Sequence, residues 1–347
     1  MSVEILGGLG RKEPAGILLH RGGRRYLLDA GAGLGVDCPF DINALRPDAI
    51  FITHDHSDHI GAMAAYGGDA AVYATAATAR RLPGRHDVRE LPLNGAIDVD
   101  GITVTTGRAG HAFGGVWLHF GVGAGLLYTG DFSRESRLFA FDEPPAADLV
   151  LADASYGLYD DDLRSGQRQL LDCLAVSDRV VLPVPTSGRG IEMILWLMAL
   201  GLEDWGPDDA LREAFFTFAK DCKGHIPPAM EPEISKACDL LDGINPDAPR
   251  ILLMSDPDLD GEIDPYEGRR FLFTGHVPPK GKALLKAGQG AALRWNVHPR
   301  MRDLRWLAVK TAARRFVPLF TGLGERDAWQ GLVDPAQLVV EPQVEIA

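Results

Sequence analysis

Short apolar runs bounded by glycine or acidic residues fill the first half of the chain. Residues 49–52, 71–74, 102–106, 116–120, 125–128 and 148–152 are each four or five positions long. Runs of that length read as strands, the one at 49–52 as a buried strand. Residues 15–20 and 25–29 flank Gly22-Gly23, which predicts a hairpin. Leu6-Gly7-Gly8 ends a short first strand, 77–82 is a short helix, and Gly61-Ala62-Met63-Ala64-Ala65 begins another. Beyond Tyr159 longer helical stretches take over: 163–176, a helix opened by Gly188-Arg189-Gly190 that runs to 200, and helices across 208–241 broken at Ile226-Pro227-Pro228. Strands recur at 179–184, 251–254 and 271–274. This change of texture predicts a discontinuous first domain, residues 1–157 and 270–347, and an inserted domain at 158–269.

A chain of 347 residues exceeds one ordinary core, which agrees with two domains. No apolar run approaches the roughly 20 residues of a membrane helix. Met1-Ser2-Val3-Glu4-Ile5-Leu6 lacks the basic-then-apolar pattern of a secretion signal, so a cytoplasmic location is expected. Cys38, Cys173, Cys222 and Cys238 form no CxxC pair, which argues against a disulfide frame or a cysteine zinc site. The net charge is −13, yet its distribution is uneven. Between Arg269 and Arg315 stand twelve cations and one acid, Asp303, a net of +11. Such segregation predicts a basic face for a polyanion such as nucleic acid.

The chemistry concentrates in Thr53-His54-Asp55-His56-Ser57-Asp58-His59-Ile60-Gly61. Three of the chain's ten histidines fall in one hexapeptide at the end of an apolar strand. His54 and His56 share a face of extended chain, while Asp58 and His59 follow the bend and address a neighbouring position. Imidazoles and carboxylates are the ligands of catalytic zinc. Asp29, His111, Asp131 and Asp153 likewise stand just past apolar strands. Strand ends hold side chains convergent while loops vary, so the series predicts one metal site at a sheet rim.

With these residues assembled, the chain resembles the metallo-β-lactamase superfamily: Asp29 after its strand, His54, His56, Asp58 and His59 as HxHxDH, then His111 and Asp131. Later motifs resemble its β-CASP nuclease branch, which includes ribonuclease J, the polyadenylation endonuclease and Artemis. They are Asp153-Ala154-Ser155-Tyr156-Gly157, Leu182-Pro183-Val184-Pro185 with Gly188, Arg189 and Glu192, the strand from Phe271 to Gly275, and His298. The resemblance implies an α/β fold, an αββα metallo-β-lactamase sandwich with an inserted, shortened β-CASP-like α/β domain. One position departs from it: the branch's last histidine falls at Thr321. His276 is a candidate substitute; His20, His86, His119 and His225 are ordinary histidines.

The implied function is metal-dependent hydrolysis of single-stranded DNA or RNA, with zinc, one ion or two, and Mn2+ an option at the second position. His54, His56 and His111 are assigned to the first ion, Asp58 and His59 to the second, and Asp131 to both. Asp58 orients the attacking water, Asp29 fixes a ligand imidazole, and Asp153 pairs with His298, the general acid. Arg189 at a helix start, with Ser187, Lys280 and Arg300, is the expected substrate-binding set. Two other classes fit parts of the pattern: a small-molecule metallo-hydrolase such as a thioesterase or lactonase, and a non-catalytic nucleic-acid-binding subunit.

Overall fold

The computed structural model describes residues 1–33, 35–243, 249–263, 266–324 and 326–346. The chain divides into two compact units, Met1–Asp160 with His298–Ala347, and Asp161–Val297.

The first unit contains two seven-stranded sheets. One runs in the order Gln343–Glu345, Ser2–Gly7, Gly16–Arg21, Arg24–Leu28, Ala49–Phe51, Ala71–Ala74, Val88–Glu90. The other runs Gln337–Leu338, Arg315–Leu319, Leu149–Asp153, Leu126–Tyr128, Val116–Phe120, Ile102–Arg108, Gly95–Val99. Side chains alternate along each strand, so odd and even positions meet different neighbours. Ile17, Leu19, Leu28 and Phe51 of the first sheet share a core with Leu118, Phe120, Tyr128, Leu151 and Val317 of the second. The intervening Leu18, Leu27 and Ile50 pack outward on Ile42, Ile60 and Met63 of short helical segments. Leu127, Val150 and Phe316 pack outward on Leu304 and Leu307 of Met301–Lys310 and on Trp329 and Leu332 of Arg326–Val333. Helix, sheet, sheet, helix is therefore the layering, and apolar residues on both faces explain the unbroken runs.

Strand direction places the site. Arg24–Leu28, Ala49–Phe51 and Ala71–Ala74 are mutually parallel. Leu126–Tyr128, Leu149–Asp153 and Arg315–Leu319 are mutually parallel too. Ile102–Arg108 lies antiparallel to Val116–Phe120, which lies antiparallel to Leu126–Tyr128, so its end also reaches the rim of Leu126–Tyr128. Several carboxyl ends thus open on one edge of each sheet.

The second unit is a five-stranded parallel sheet, ordered Trp205–Pro207, Ile251–Met254, Val180–Pro183, Arg270–Phe273, Gly290–Ala292. Its helices include Leu163–Ala175, Arg189–Ala199, Asp209–Asp221 and Glu231–Gly243. Asp162 and Asp208 cap two of them by accepting from Ser165 N and Leu211 N, the expected service of an N-cap carboxylate. This corrects the boundary expected at 269/270. Arg270–Phe273 pairs with Val180–Pro183 on one side and Gly290–Ala292 on the other, so the sheet needs residues 270–297 and the chain returns at His298.

Candidate metal centre

The side chains singled out in the sequence follow the strand ends. Asp29 follows Arg24–Leu28, His54 follows Ala49–Phe51, His111 follows Ile102–Arg108 and Asp131 follows Leu126–Tyr128. Asp153 closes its own strand, and His298 stands just ahead of the helix Met301–Lys310. Asp58 and His59 sit in the single helical turn Ser57–Ile60, a turn earlier than the sequence pattern placed the helix start. Two glycines permit the convergence. A side chain on Gly31 would strike the Asp58 carbonyl oxygen. Gly130, at φ +51, would set a Cβ 2.6–2.9 Å from three atoms of the Thr53 side chain.

Among the described residues three donor groups form. His54, His56, His111 and Asp131 make the first, Asp58, His59 and Asp131 the second, and Asp131, Asp153 and His298 the third. Donors bonded at about 2.0–2.1 Å in a tetrahedron lie roughly 3.3 Å apart. In the first group His54 Nε2 is 3.2 Å from His56 Nδ1, and His111 Nε2 is 3.0 Å from that same nitrogen. Asp131 Oδ2 lies 3.6 Å from His111 Nε2 and 3.9 Å from His54 Nε2. The spacing is that of atoms arranged about one ion.

Hydrogen-bond accounting fixes the imidazoles. The Thr53 hydroxyl donates to Asp29 Oδ2 at 2.8 Å and so must accept from His54 Nδ1–H at 3.1 Å. That leaves a lone pair on His54 Nε2, facing the first group. Burial and the neighbouring His59, His56 and His111 imidazoles hold the His54 pKa well below 6.5, the neutral form a metal ligand requires. Burial lowers His56 as well. Asp29, fully buried, accepts from Thr53 N at 2.8 Å and the Tyr128 hydroxyl at 2.7 Å, and lies 2.7 Å from His59 Nδ1. His59 Nε2 and Asp131 Oδ1 are buried without a hydrogen bond and face each other at 3.3 Å. Two lone pairs so placed require a positive charge between them, a metal ion or a second imidazole proton. Burial pulls the His59 pKa down, but the Asp131 and Asp29 carboxylates carry it well above 6.5. The donor set of the first group and its spacing fit a divalent cation.

A model of the beta-lactamase superfamily domain matches residues 24–180. Within those residues the chain resembles a metallo-β-lactamase domain. Over 222 residues, 53% of this chain, it is 30% identical to ribonuclease TTHA0252 of Thermus thermophilus, covering 52% of that protein. It is 29% identical over 247 residues to transcription termination factor FttA of Methanocaldococcus jannaschii, covering 56% of this chain and 39% of FttA. It is 27% identical over 253 residues to cleavage and polyadenylation specificity factor subunit 2 of Arabidopsis thaliana, covering 57% of this chain and 33% of that subunit. The matched stretches thus span about half or less of these relatives. A crystal structure of a protein of unknown function from Enterococcus faecalis V583 superposes with a TM-score of 0.65 at 15% identity, over 99% of each chain, a likeness of fold. The match to the beta-lactamase superfamily domain model contains every proposed ligand: His54, His56, Asp58, His59, His111 and Asp131.

Of the expected substrate-binding residues, three belong to the second unit and one to the first. Lys280 donates to the Leu259 and Gly261 carbonyls at 2.6 and 3.2 Å. Arg189 opens its helix with the guanidinium packed where a Gly275 side chain would be, and Ser187 is buried. Arg300 is bonded to Asp303 at 2.7 Å and paired with Glu135 at 3.0 Å, at the N-cap position of Met301–Lys310. His276 lies in the second unit and in none of the three donor groups.

Part of the basic run is paired within the fold. Arg302 grips Asp160 with two bonds of 3.0 and 2.9 Å, Lys310 pairs with Glu143, and Arg314 and Arg315 both pair with buried Asp148. Arg269 donates to the Val180 and Pro249 carbonyls. Acids and carbonyls from elsewhere in the sequence answer much of a run that looked unbalanced.

Sequence reading missed Thr53, Tyr128 and Lys12. Thr53 and Tyr128 act as donors to Asp29 from the interior, where their types read as ordinary strand residues. Lys12 Nζ lies 3.3 Å from Asp58 Oδ2. Burial would raise the Asp58 pKa, but Lys12 and then His59 bring it down to about 2. Nothing in the local pattern around Lys12 marks that contact.

Proposed function

We propose that this chain is a metal-dependent phosphodiesterase that cleaves single-stranded nucleic acid, with RNA its first substrate. Zinc would be held by His54 Nε2, His56 Nδ1, His111 Nε2 and Asp131. Bound there, it lowers the pKa of water from about 15.7 toward 7 and offsets charge building on the phosphate. The residues do the rest. Asp58, kept ionised beside Lys12, accepts a hydrogen bond from the attacking water and aligns it. Asp29 and Thr53 hold the His54 ring in its metal-facing tautomer. His298 gives the proton that the leaving oxygen needs: its Nδ1 is tied to Asp153 Oδ2 at 2.8 Å, so its Nε2 is the nitrogen free to act on substrate.

The observation that carries this reading is the position of His298 Nδ1, 3.6 Å from Asp131 Oδ2, which sets a proton donor beside the metal donors. The relatives named as a ribonuclease and a polyadenylation factor support a nucleic-acid substrate, RNA in particular. The pairing of Arg302, Lys310, Arg314 and Arg315 supports one alternative, a small-molecule hydrolase such as a thioesterase or lactonase. A time course on end-labelled single-stranded RNA and DNA of equal length, with and without chelator, separates the two. RNA cleavage that chelator stops and zinc restores is expected. Cleavage no faster than buffer, beside rapid thioester or lactone hydrolysis, would transfer the assignment to the alternative.

A further inference from the structure

Lys12 is unusual among the chain's cations in where its charge ends. Its ammonium lies 3.3 Å from Asp58 Oδ2, 3.4 Å from Ser155 Oγ and 5.0 Å above the centre of the Phe320 ring. That ring also packs edge-on against His59. The placement is built into the backbone. Phe320 N donates to the Gly8 carbonyl at 2.6 Å, and Leu9 bridges to Leu319. A side chain on Gly8, at φ +91, would set its Cβ 2.5 Å from the Phe320 ring. The loop bearing Lys12 is thereby stitched to the strand end that leads into Thr321, where the resembled branch has a histidine.

We infer that the ammonium of Lys12 takes the place of a second metal ion, so that the centre holds one divalent cation, at His54, His56, His111 and Asp131. The inference rests on the metal reading of the centre but not on the identity of the substrate. The two donor groups are unequal: the first offers four protein ligands, the second only Asp58, His59 and Asp131 among the described residues. A metal ion bonded to the Asp58 carboxylate would meet the Lys12 ammonium, 3.3 Å from Oδ2 of the same group, and like charges that close repel strongly. The ammonium has three donors and a compact charge, which suits it to the non-bridging oxygens of a phosphodiester.

The test counts metal without substrate. Metal-free chain is titrated with zinc, and bound ions are counted by native mass spectrometry and by elemental analysis after buffer exchange. Wild type should bind one tight equivalent. Lys12→Met, its fold checked by circular dichroism, should bind the second equivalent with a dissociation constant at least about tenfold lower than wild type shows. Two equivalents of similar affinity in the wild-type chain would overturn the inference, and that arm needs no variant. An unchanged second equivalent in folded Lys12→Met would overturn it as well. Either count stands whether or not the chain cleaves RNA.

Discussion

His298 Nδ1 lies 2.8 Å from Asp153 Oδ2, a bond between positions 145 apart in the chain. Asp153 is itself fixed: its backbone N–H donates to Thr129 Oγ1 and its Oδ1 accepts from Ser155 N, both at 2.9 Å. Tyr156 packs edge-on against the His298 ring. A carboxylate held on one ring nitrogen sets the tautomer and leaves the other nitrogen for proton transfer. His298→Ala should therefore lower the single-turnover rate on RNA by about 10²- to 10⁴-fold. Zinc content should stay at the wild-type level. Loss of metal together with rate would move His298 from proton donor to ligand.

Thr53 connects Asp29 to His54, since its hydroxyl donates to the first and accepts from the second. Thr53→Val keeps the shape and removes that link. Outer partners of ligand imidazoles are worth about 10- to 100-fold in metal affinity. The expected outcome is a drop of that size in zinc affinity by competition with a chromophoric chelator, with the melting curve still cooperative. Unchanged affinity would show that the orientation of His54 comes from packing alone.

Asp29 carries more. It accepts from Thr53 N, Thr53 Oγ1 and Tyr128 OH, and lies beside His59 Nδ1, with no exposed surface. Asp29→Ala strands these donors, at about 1–3 kcal/mol for each group left unsatisfied. The metal-free variant should melt well below wild type, or fail to accumulate. Asp29→Asn retains some of the acceptors and should fall between. A melting temperature equal to wild type for Asp29→Ala would mean that water replaces the carboxylate in full.

Much of this centre was legible in the chain because its ligands are chemically rare and follow apolar strands. His54, His56, Asp58 and His59 lie in one stretch, and Asp29, His111, Asp131 and Asp153 each announce a strand end. Long-range pairing was not legible. The strands Val88–Glu90 and Gln343–Glu345 are short and largely exposed, with no apolar run to mark them, and the latter exists as a strand through pairing with Ser2–Gly7. Arg270–Phe273 looks like a return to the first sandwich until its partners, Val180–Pro183 and Gly290–Ala292, are known. The run of cations from Arg269 to Arg315 was visible, whereas Asp148, Asp160 and Glu143, which answer it, were not visible as partners. Lys12 belongs with them: its charge has meaning only beside Asp58.

The Lys12–Asp58 pair also sets an acid limit. Asp58 is depressed from 3.8 to about 2 in the folded chain. A carboxylate whose folded pKa is lowered stabilises the fold fully above its unfolded pKa, and that contribution is lost as pH falls through the folded value. The window for metal-free protein thus runs from near 4 down to about 2, and the contribution is at most on the order of 2 kcal/mol. Lys12→Met removes the leading cause of the shift. Its acid unfolding midpoint, followed by circular dichroism without metal, should move to higher pH. An unmoved midpoint would assign the depressed Asp58 pKa to His59 instead.

The paired cations make a prediction opposite to the one their sequence invites. A lysine or arginine that neutralises a phosphate contributes roughly one unit to the slope of log affinity against log salt. Arg302, Lys310 and Arg314 are already held by Asp160, Glu143 and Asp148. Replacing each with alanine should leave the salt slope of RNA binding within a small fraction of a unit, as read by fluorescence anisotropy from 50 to 200 mM salt, roughly the range in which phosphate contacts are most visible. The effect should appear in stability. It should be small for Arg302 and Lys310, whose side chains are more than a third exposed, because exposed ion pairs contribute about 0–1 kcal/mol. Asp148 is different: its side chain is buried and takes both Arg314 and Arg315, so Arg314→Ala alone leaves it one partner and should be tolerated. Arg314→Ala with Arg315→Ala leaves a buried carboxylate without either cation, and that double variant should lose several times more stability than the two single changes added together. A slope that falls by one unit per residue, with stability untouched, would restore these side chains to the nucleic-acid surface.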